Sequence, residues 1–130
     1  MDSIMRSRFL SLYQMVLADG IIDAAEMETL FRIGQENYGI TSNQINELIR
    51  DTDTSISYPD TLEDKVRFLY ELAEIAWADG SIDNSELRLL EKYIVNMGFE
   101  ESNSKAIANF MLNEVKDKVT VEEVIKKIDE

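Results

Sequence analysis

The chain of 130 residues contains no cysteine, no histidine and only one proline. Without Cys or His it cannot form a disulfide, a thiol nucleophile, a serine triad with a histidine base, or an ordinary zinc, haem or copper site. Any bound metal must therefore be a hard cation held by oxygen atoms. One proline and five glycines are also too few for the frequent turns of a β-sandwich or barrel.

Basic residues are scarce relative to acidic ones. The 13 Lys and Arg side chains against 26 Asp and Glu give a net charge of −13. We expect no nucleic-acid partner, because such partners require a basic surface that neutralises phosphates. The sequence has neither a run of about 18 apolar residues nor a charged-then-apolar leader, so we expect no membrane span and a cytoplasmic location.

Apolar residues recur at the three- and four-residue spacing of amphipathic helices along nearly the whole chain. This spacing predicts an all-α fold of about seven helices and no strand. The helices are expected over residues of about 3–18, 24–38, 42–51, 61–78, 84–97, 107–115 and 120–129.

A polar segment ending at Pro59 divides the chain into two halves. We expect Asp60 and Glu63 to cap the helix that follows, with Leu62 at the start of its buried stripe. The predicted organisation is one domain over residues 1–130, made of a first repeat (about 1–51), a linker (about 52–59), a second repeat (about 60–116) and a C-terminal helix (about 120–129).

The main signal is an internal repeat of the pattern A-D-G-x-I-D-x-x-E. It runs from Ala18 to Glu26 and returns, sixty residues later, from Ala78 to Glu86. Two helical hairpins of this kind would pack about a pseudo-two-fold axis, so equivalent positions should occupy equivalent environments. The pairs predicted to be buried together are Val16 with Ala76, Leu30 with Leu90, and Ile22 with Ile82.

Helix capping explains most of this motif. In the first copy, Gly20 supplies a positive φ that ends a helix, Asp23 caps the next helix and Glu26 completes a capping box. Ile22 would then pack on Met27 as a hydrophobic staple. The second copy repeats each of these positions, and capping alone is one complete interpretation of the motif.

Capping leaves Asp19 and Asp79 unexplained. A carboxylate at the end of a helix opposes the macrodipole, at a cost of roughly 0.3–1 kcal/mol. The alternative is a cation site, although an EF-hand is excluded because its first ligand positions would fall on Met15 and Leu17. We expect weak binding of Ca²⁺ or Mg²⁺ by three carboxylates in each turn. The candidate ligands are Asp19, Asp23 and Glu26 in the first turn, and Asp79, Asp83 and Glu86 in the second.

Paired A-D-G-x-I-D-x-x-E turns in an all-helical chain resemble the TerB-like family, which is associated with tellurite resistance. The same module resembles a domain of a membrane-anchored DnaJ-like co-chaperone. The resemblance implies about seven helices in two pseudo-symmetric halves and metal chelation by the six carboxylates named above. Glu71 and Glu74 precede the second turn, where the first copy has Ser11 and Gln14. The second turn is therefore expected to be the stronger site.

Three functions are consistent with these residues. The first is a non-enzymatic, acidic module that binds a divalent cation, a protein partner or both in a stress or metal-resistance response. The second is a purely structural interaction scaffold without metal. The third is a hydrolase that uses paired carboxylates, a chemistry that needs neither His nor Cys.

The single-domain prediction has a direct test. Thermal and urea unfolding should each follow one cooperative transition, because all the predicted helices share one core. Two separated transitions in calorimetry would contradict it.

Overall fold

The computed structural model describes residues 3–18, 20, 22–50 and 57–129. All seven predicted helices are present within these ranges and no strand occurs in them, which confirms the all-α fold. Residues 52–56 of the expected linker lie outside the described residues. The helices are α1 (Ser3–Val16), α2 (Ala24–Asn37), α3 (Ser42–Arg50), α4 (Leu62–Trp77), α5 (Asn84–Asn96), α6 (Ser104–Lys116) and α7 (Val121–Asp129), with a 3₁₀ turn at Glu101–Asn103 before α6.

Helix α4 lies at the centre of the packing, where it contacts α1, α2, α5, α6 and α7. Its buried positions recur at helical spacing, and Leu69, Leu72 and Ile75 are all at most 1% exposed. The same core cluster extends through Leu30 of α2 to Val124 of α7. Apolar residues from both halves of the chain are thus buried together around α4.

Gly34 allows α1 and α3 to approach α2 closely. A Cβ atom at this position would lie 2.9 Å from Phe9 Cε2 and 3.0 Å from Ile45 Cδ1. These separations are too short for packed carbon atoms, so glycine is the residue that fits the contact.

The repeat places two of its three expected pairs in equivalent environments. Leu30 and Leu90 are each 0% exposed, and Val16 and Ala76 are at most 1% exposed, as predicted. The prediction for Ile22 and Ile82 was wrong, because Ile22 is 60% exposed while Ile82 is partly buried against the core.

The exposure of Ile22 is part of a difference between the two turns. Asp23 and Asp83 have similar extended backbones, φ −93° and ψ 134° against φ −86° and ψ 150°, and neighbouring side chains on an extended backbone point in opposite directions. In the first turn the Asp23 side chain is the half-buried one and Ile22 is exposed, whereas in the second turn Asp83 is exposed and Ile82 is partly buried. The expected staple between Ile22 and Met27 is therefore not available in the first turn.

The start of α4 also differs from its prediction. Thr61, rather than Asp60, is the N-cap, and its hydroxyl accepts a hydrogen bond from Asp64 N at 3.1 Å. Leu62 is the first residue of the helix and is 42% exposed. It precedes the buried stripe, which begins one turn later at Val66.

Truncating either core leucine of the repeat should be costly. Leu30→Ala and Leu90→Ala should each lower the free energy of unfolding by about 2–5 kcal/mol, the usual range for a fully packed leucine. Ile22→Ala, at an exposed position, is the control and should change it by less than about 0.5 kcal/mol. Urea melts measure all three variants. If the free energy of unfolding is unchanged by the substitution at either leucine, the shared core is contradicted.

Candidate metal centre

The first Asp-Gly turn joins α1 to α2. Gly20 has φ +81° and Gly80, its equivalent, has φ +89°, so both adopt the left-handed conformation expected of them. Asp23 caps α2, since its Oδ1 accepts hydrogen bonds from Ala25 N at 2.8 Å and Glu26 N at 3.1 Å.

The second turn joins α4 to α5 and has the complete capping box. Asp83 accepts a hydrogen bond from Ser85 N at 2.7 Å, and Glu86 Oε1 accepts one from Asp83 N at 3.0 Å. Asp79 Oδ1 accepts from Ser81 N at 3.0 Å. This donor partly offsets the unfavourable position of Asp79 at a helix C-terminus.

The two turns meet, and their carboxylates form one cluster that we call the cross-turn trio: Asp23, Glu26 and Asp79. Each offers one oxygen, and the three oxygens lie within 4.8 Å of one another. Glu26 is 1% exposed, Asp23 is half-buried and Asp79 is exposed. The trio therefore has a buried carboxylate at one side and a solvent-accessible one at the other. Within the described residues it is the one group of three carboxylates this close together.

Two members of the trio accept all their hydrogen bonds from described residues on one oxygen atom. Both hydrogen bonds to Asp23 end on Oδ1, and both bonds to Asp79, from Ser81 N and Ser81 Oγ, also end on Oδ1. No basic side chain of the described ranges forms an ion pair with either residue. The Oδ2 atoms of Asp23 and Asp79 accept none of these hydrogen bonds.

The site thus lies where two copies of one turn pack together. A family model described as tellurite resistance protein TerB matches residues 8–109, which include both turns. The chain belongs to the TerB family. Neither the curated proteins nor the solved structures contain a significant match to it. No helix in the described part of this TerB-family chain is both long and apolar enough to cross a membrane.

The TerB-like ligand set expected from the sequence is only partly brought together. The cross-turn trio combines two of the first-turn candidates with Asp79 of the second turn. Asp83 and Glu86 lie outside the trio and take part in the capping box of α5. Asp19 lies outside the described residues. The grouping is therefore across the turns, whereas we expected three ligands within each turn.

Glu71 and Glu74 do not face the second turn, contrary to the sequence-based expectation. Glu71 accepts hydrogen bonds from Asn37 Nδ2 at 2.8 Å and Tyr38 Oη at 2.6 Å. Glu74 pairs with Arg32 of α2 at 2.9 Å. Both carboxylates therefore hold the end of α2 against α4, and their charge gives no reason to favour the second turn as a metal site.

Glu71 is largely buried, and burial raises its pKa above the ordinary 4.5, although the bonds from Tyr38 and Asn37 act in the opposite direction. Burial likewise raises the pKa of Tyr38, so its hydroxyl stays a donor at neutral pH. Sequence analysis did not identify this Tyr38–Glu71 contact, because the two residues are 33 positions apart and no motif joins them.

Glu71 should make stability depend on pH. A folded-state pKa above the unfolded value means that stability is present at low pH and declines as pH rises above about 4.5. Glu71→Gln removes this titration, so the free energy of unfolding of the wild type should fall relative to the variant between pH 4 and 7. Urea melts across this range measure the difference. A difference that is constant, or that grows in favour of the wild type, would contradict the assignment.

Proposed function

We propose that this TerB-family protein is a non-catalytic module that binds one hard divalent cation, Ca²⁺ or Mg²⁺, between its two Asp-Gly turns. In this proposal the ion joins the two halves of the chain, and the loaded module acts with a protein partner in a metal-resistance or stress response. The ligands are the cross-turn trio of Asp23, Glu26 and Asp79.

One observation carries the proposal, namely the 4.8 Å limit on the separation of the three carboxylate oxygens. Two unit charges about 4 Å apart interact by about 4 kcal/mol at an effective dielectric constant of 20, so three carboxylates at this spacing repel one another. A divalent cation converts that repulsion into attraction, and carboxylate oxygen is the ligand that Ca²⁺ and Mg²⁺ prefer.

The trio supports weak rather than tight binding. Three carboxylate oxygens fill half or less of the six to eight positions around Ca²⁺, and Mg²⁺ usually retains several water molecules. Asp79 is exposed, which leaves room for such waters on the solvent side. We therefore expect dissociation constants in the range of about 10⁻⁴ to 10⁻³ M.

A metal-free scaffold is the second candidate, and the capping bonds favour it. Asp23, Asp83 and Glu86 all accept backbone N–H groups at helix N-termini, and Asp79 accepts Ser81 N. Capping does not require the two turns to place three carboxylates together, however. The two candidates predict opposite effects when one carboxylate of the trio is neutralised.

Neutralising Asp79 should distinguish a ligand from a cap. In EDTA, Asp79→Asn should leave the melting temperature unchanged or raise it, because one repulsive charge is removed. With Mg²⁺, Ca²⁺ or Mn²⁺ in excess, the wild type should gain about 2.7 kcal/mol at a hundredfold excess over Kd, and the variant much less. Thermal melts give the stability, and Trp77, two residues before Asp79, gives a fluorescence signal.

The matched controls are the two equivalent N-caps. Asp23→Asn and Asp83→Asn both keep an oxygen that can cap a helix, but only Asp23 belongs to the trio. Asp23→Asn should weaken the response to cations, and Asp83→Asn should keep it. The proposal is wrong if none of the three cations changes the melting temperature or the Trp77 fluorescence of the wild type. It is also wrong if Asp83→Asn loses the response to cations as fully as Asp23→Asn does.

A further inference from the structure

At least six of the 13 basic side chains of this acidic protein contact a carboxylate or an aromatic ring. Among the described residues, ion pairs join Arg8 to Asp64, Arg32 to Glu36 and Glu74, Arg67 to Glu63 and Glu122, and Lys127 to Glu114. Lys65 lies over Phe99 and Lys116 over Trp77. Arg88, Lys92 and Lys105 are exposed, and none of them forms an ion pair with a described acidic residue. Arg50, Lys118 and Lys126 are also exposed and unpaired in the described ranges, but of these six only Arg88, Lys92 and Lys105 line one groove together.

These three side chains line one groove between α5 and α6, of about 520 Å³. Arg88 and Lys92 lie one helical turn apart on α5, so they occupy the same face. Lys105, in the first turn of α6, lies on the opposite wall. Val95, 36% exposed, adds an apolar surface within the groove.

The groove continues along α5 toward the first Asp-Gly turn. A neighbouring depression of about 310 Å³ shares Arg88 and Lys92 and reaches Ala18. Together the two depressions follow α5 from Ser85 to Asn96, a length of about 17 Å at 1.5 Å per residue. An extended peptide at about 3.3 Å per residue covers this length with about five residues.

The local charge is opposite to that of the whole protein. Three basic side chains and two acidic ones, Glu91 and Glu101, line the α5–α6 groove, whereas the chain as a whole carries −13. The carboxylates of an acidic segment in this groove could pair with Arg88 and Lys92 on α5 and with Lys105 on α6. Elsewhere on this acidic surface the same segment would mostly meet negative charge.

We propose that the α5–α6 groove binds an extended acidic segment, about five residues long, of a partner protein. Carboxylates of the segment pair with Arg88, Lys92 and Lys105, and an apolar side chain contacts Val95. This surface uses no residue of the cross-turn trio, so the proposal does not depend on the bound cation.

Other occupants fit the groove less well. A nucleic acid would extend beyond it onto acidic surface, and a second copy of this chain would bring another −13 of net charge. A single small anion would use only part of a site whose cations lie on two walls. A short acidic segment adds few charges and contacts all three cations.

The test uses a capped, fluorescein-labelled pentapeptide with glutamates at alternate positions and leucines between them. A second pentapeptide, with glutamine in place of glutamate, is the control ligand. In EDTA and low salt, the glutamate peptide should raise fluorescence anisotropy at millimolar protein, and added salt should weaken this binding. In ¹⁵N NMR spectra the perturbed amides should lie on α5 and the start of α6.

Two double variants with equal charge changes isolate the groove. Arg88→Gln with Lys92→Gln should weaken peptide binding roughly threefold to tenfold, as expected for the loss of two exposed ion pairs. Arg50→Gln with Lys126→Gln removes two cations outside the groove and should have little effect. The proposal is overturned if the glutamine peptide binds equally well, if both double variants lose binding alike, or if no amide of α5 shifts. It is also overturned if sedimentation shows a wild-type dimer that the Arg88→Gln, Lys92→Gln double variant abolishes, because the groove would then join two copies of this chain.

Discussion

The packing of the two Asp-Gly turns against each other is the constraint on which the candidate site depends. It brings one oxygen atom each of Asp23, Glu26 and Asp79 to within 4.8 Å of one another, a separation at which ionised carboxylates repel one another. The core maintains this closeness, because α4 contacts both α1 and α2 and so holds the end of α4 near the start of α2. The fold therefore keeps three carboxyl groups together, and the proposed cation site rests on this closeness.

Local rules in the sequence predicted the elements of this arrangement. Helical spacing predicted all seven helices, and cap chemistry predicted the roles of Asp23 and Asp83. These features depend on residues within about four positions of one another, which is the range that capping and periodicity cover. The same local rules made each turn look like a separate three-ligand site.

These local rules do not predict which residues far apart in the sequence come into contact. The trio joins two turns about sixty residues apart, and only the packing of the hairpins brings them together. The pseudo-two-fold relation offered a signal, because hairpins related in this way can place their turns side by side. Glu71 shows the same limit. Its partners Asn37 and Tyr38 lie at the C-terminal end of α2, whereas its position in the sequence had suggested a role at the second Asp-Gly turn.

The most direct test of the central claim is an anomalous difference map from crystals of the protein soaked in Mn²⁺. This ion accepts the same oxygen ligands as Mg²⁺ and Ca²⁺ and is located by its anomalous scattering. The account predicts one peak at coordination distance from carboxylate oxygens of Asp23, Glu26 and Asp79. It is contradicted by a fully occupied peak held within the second turn by Asp83 and Glu86 alone, or by the absence of any peak at the trio when the surrounding solution holds Mn²⁺ well above millimolar concentration.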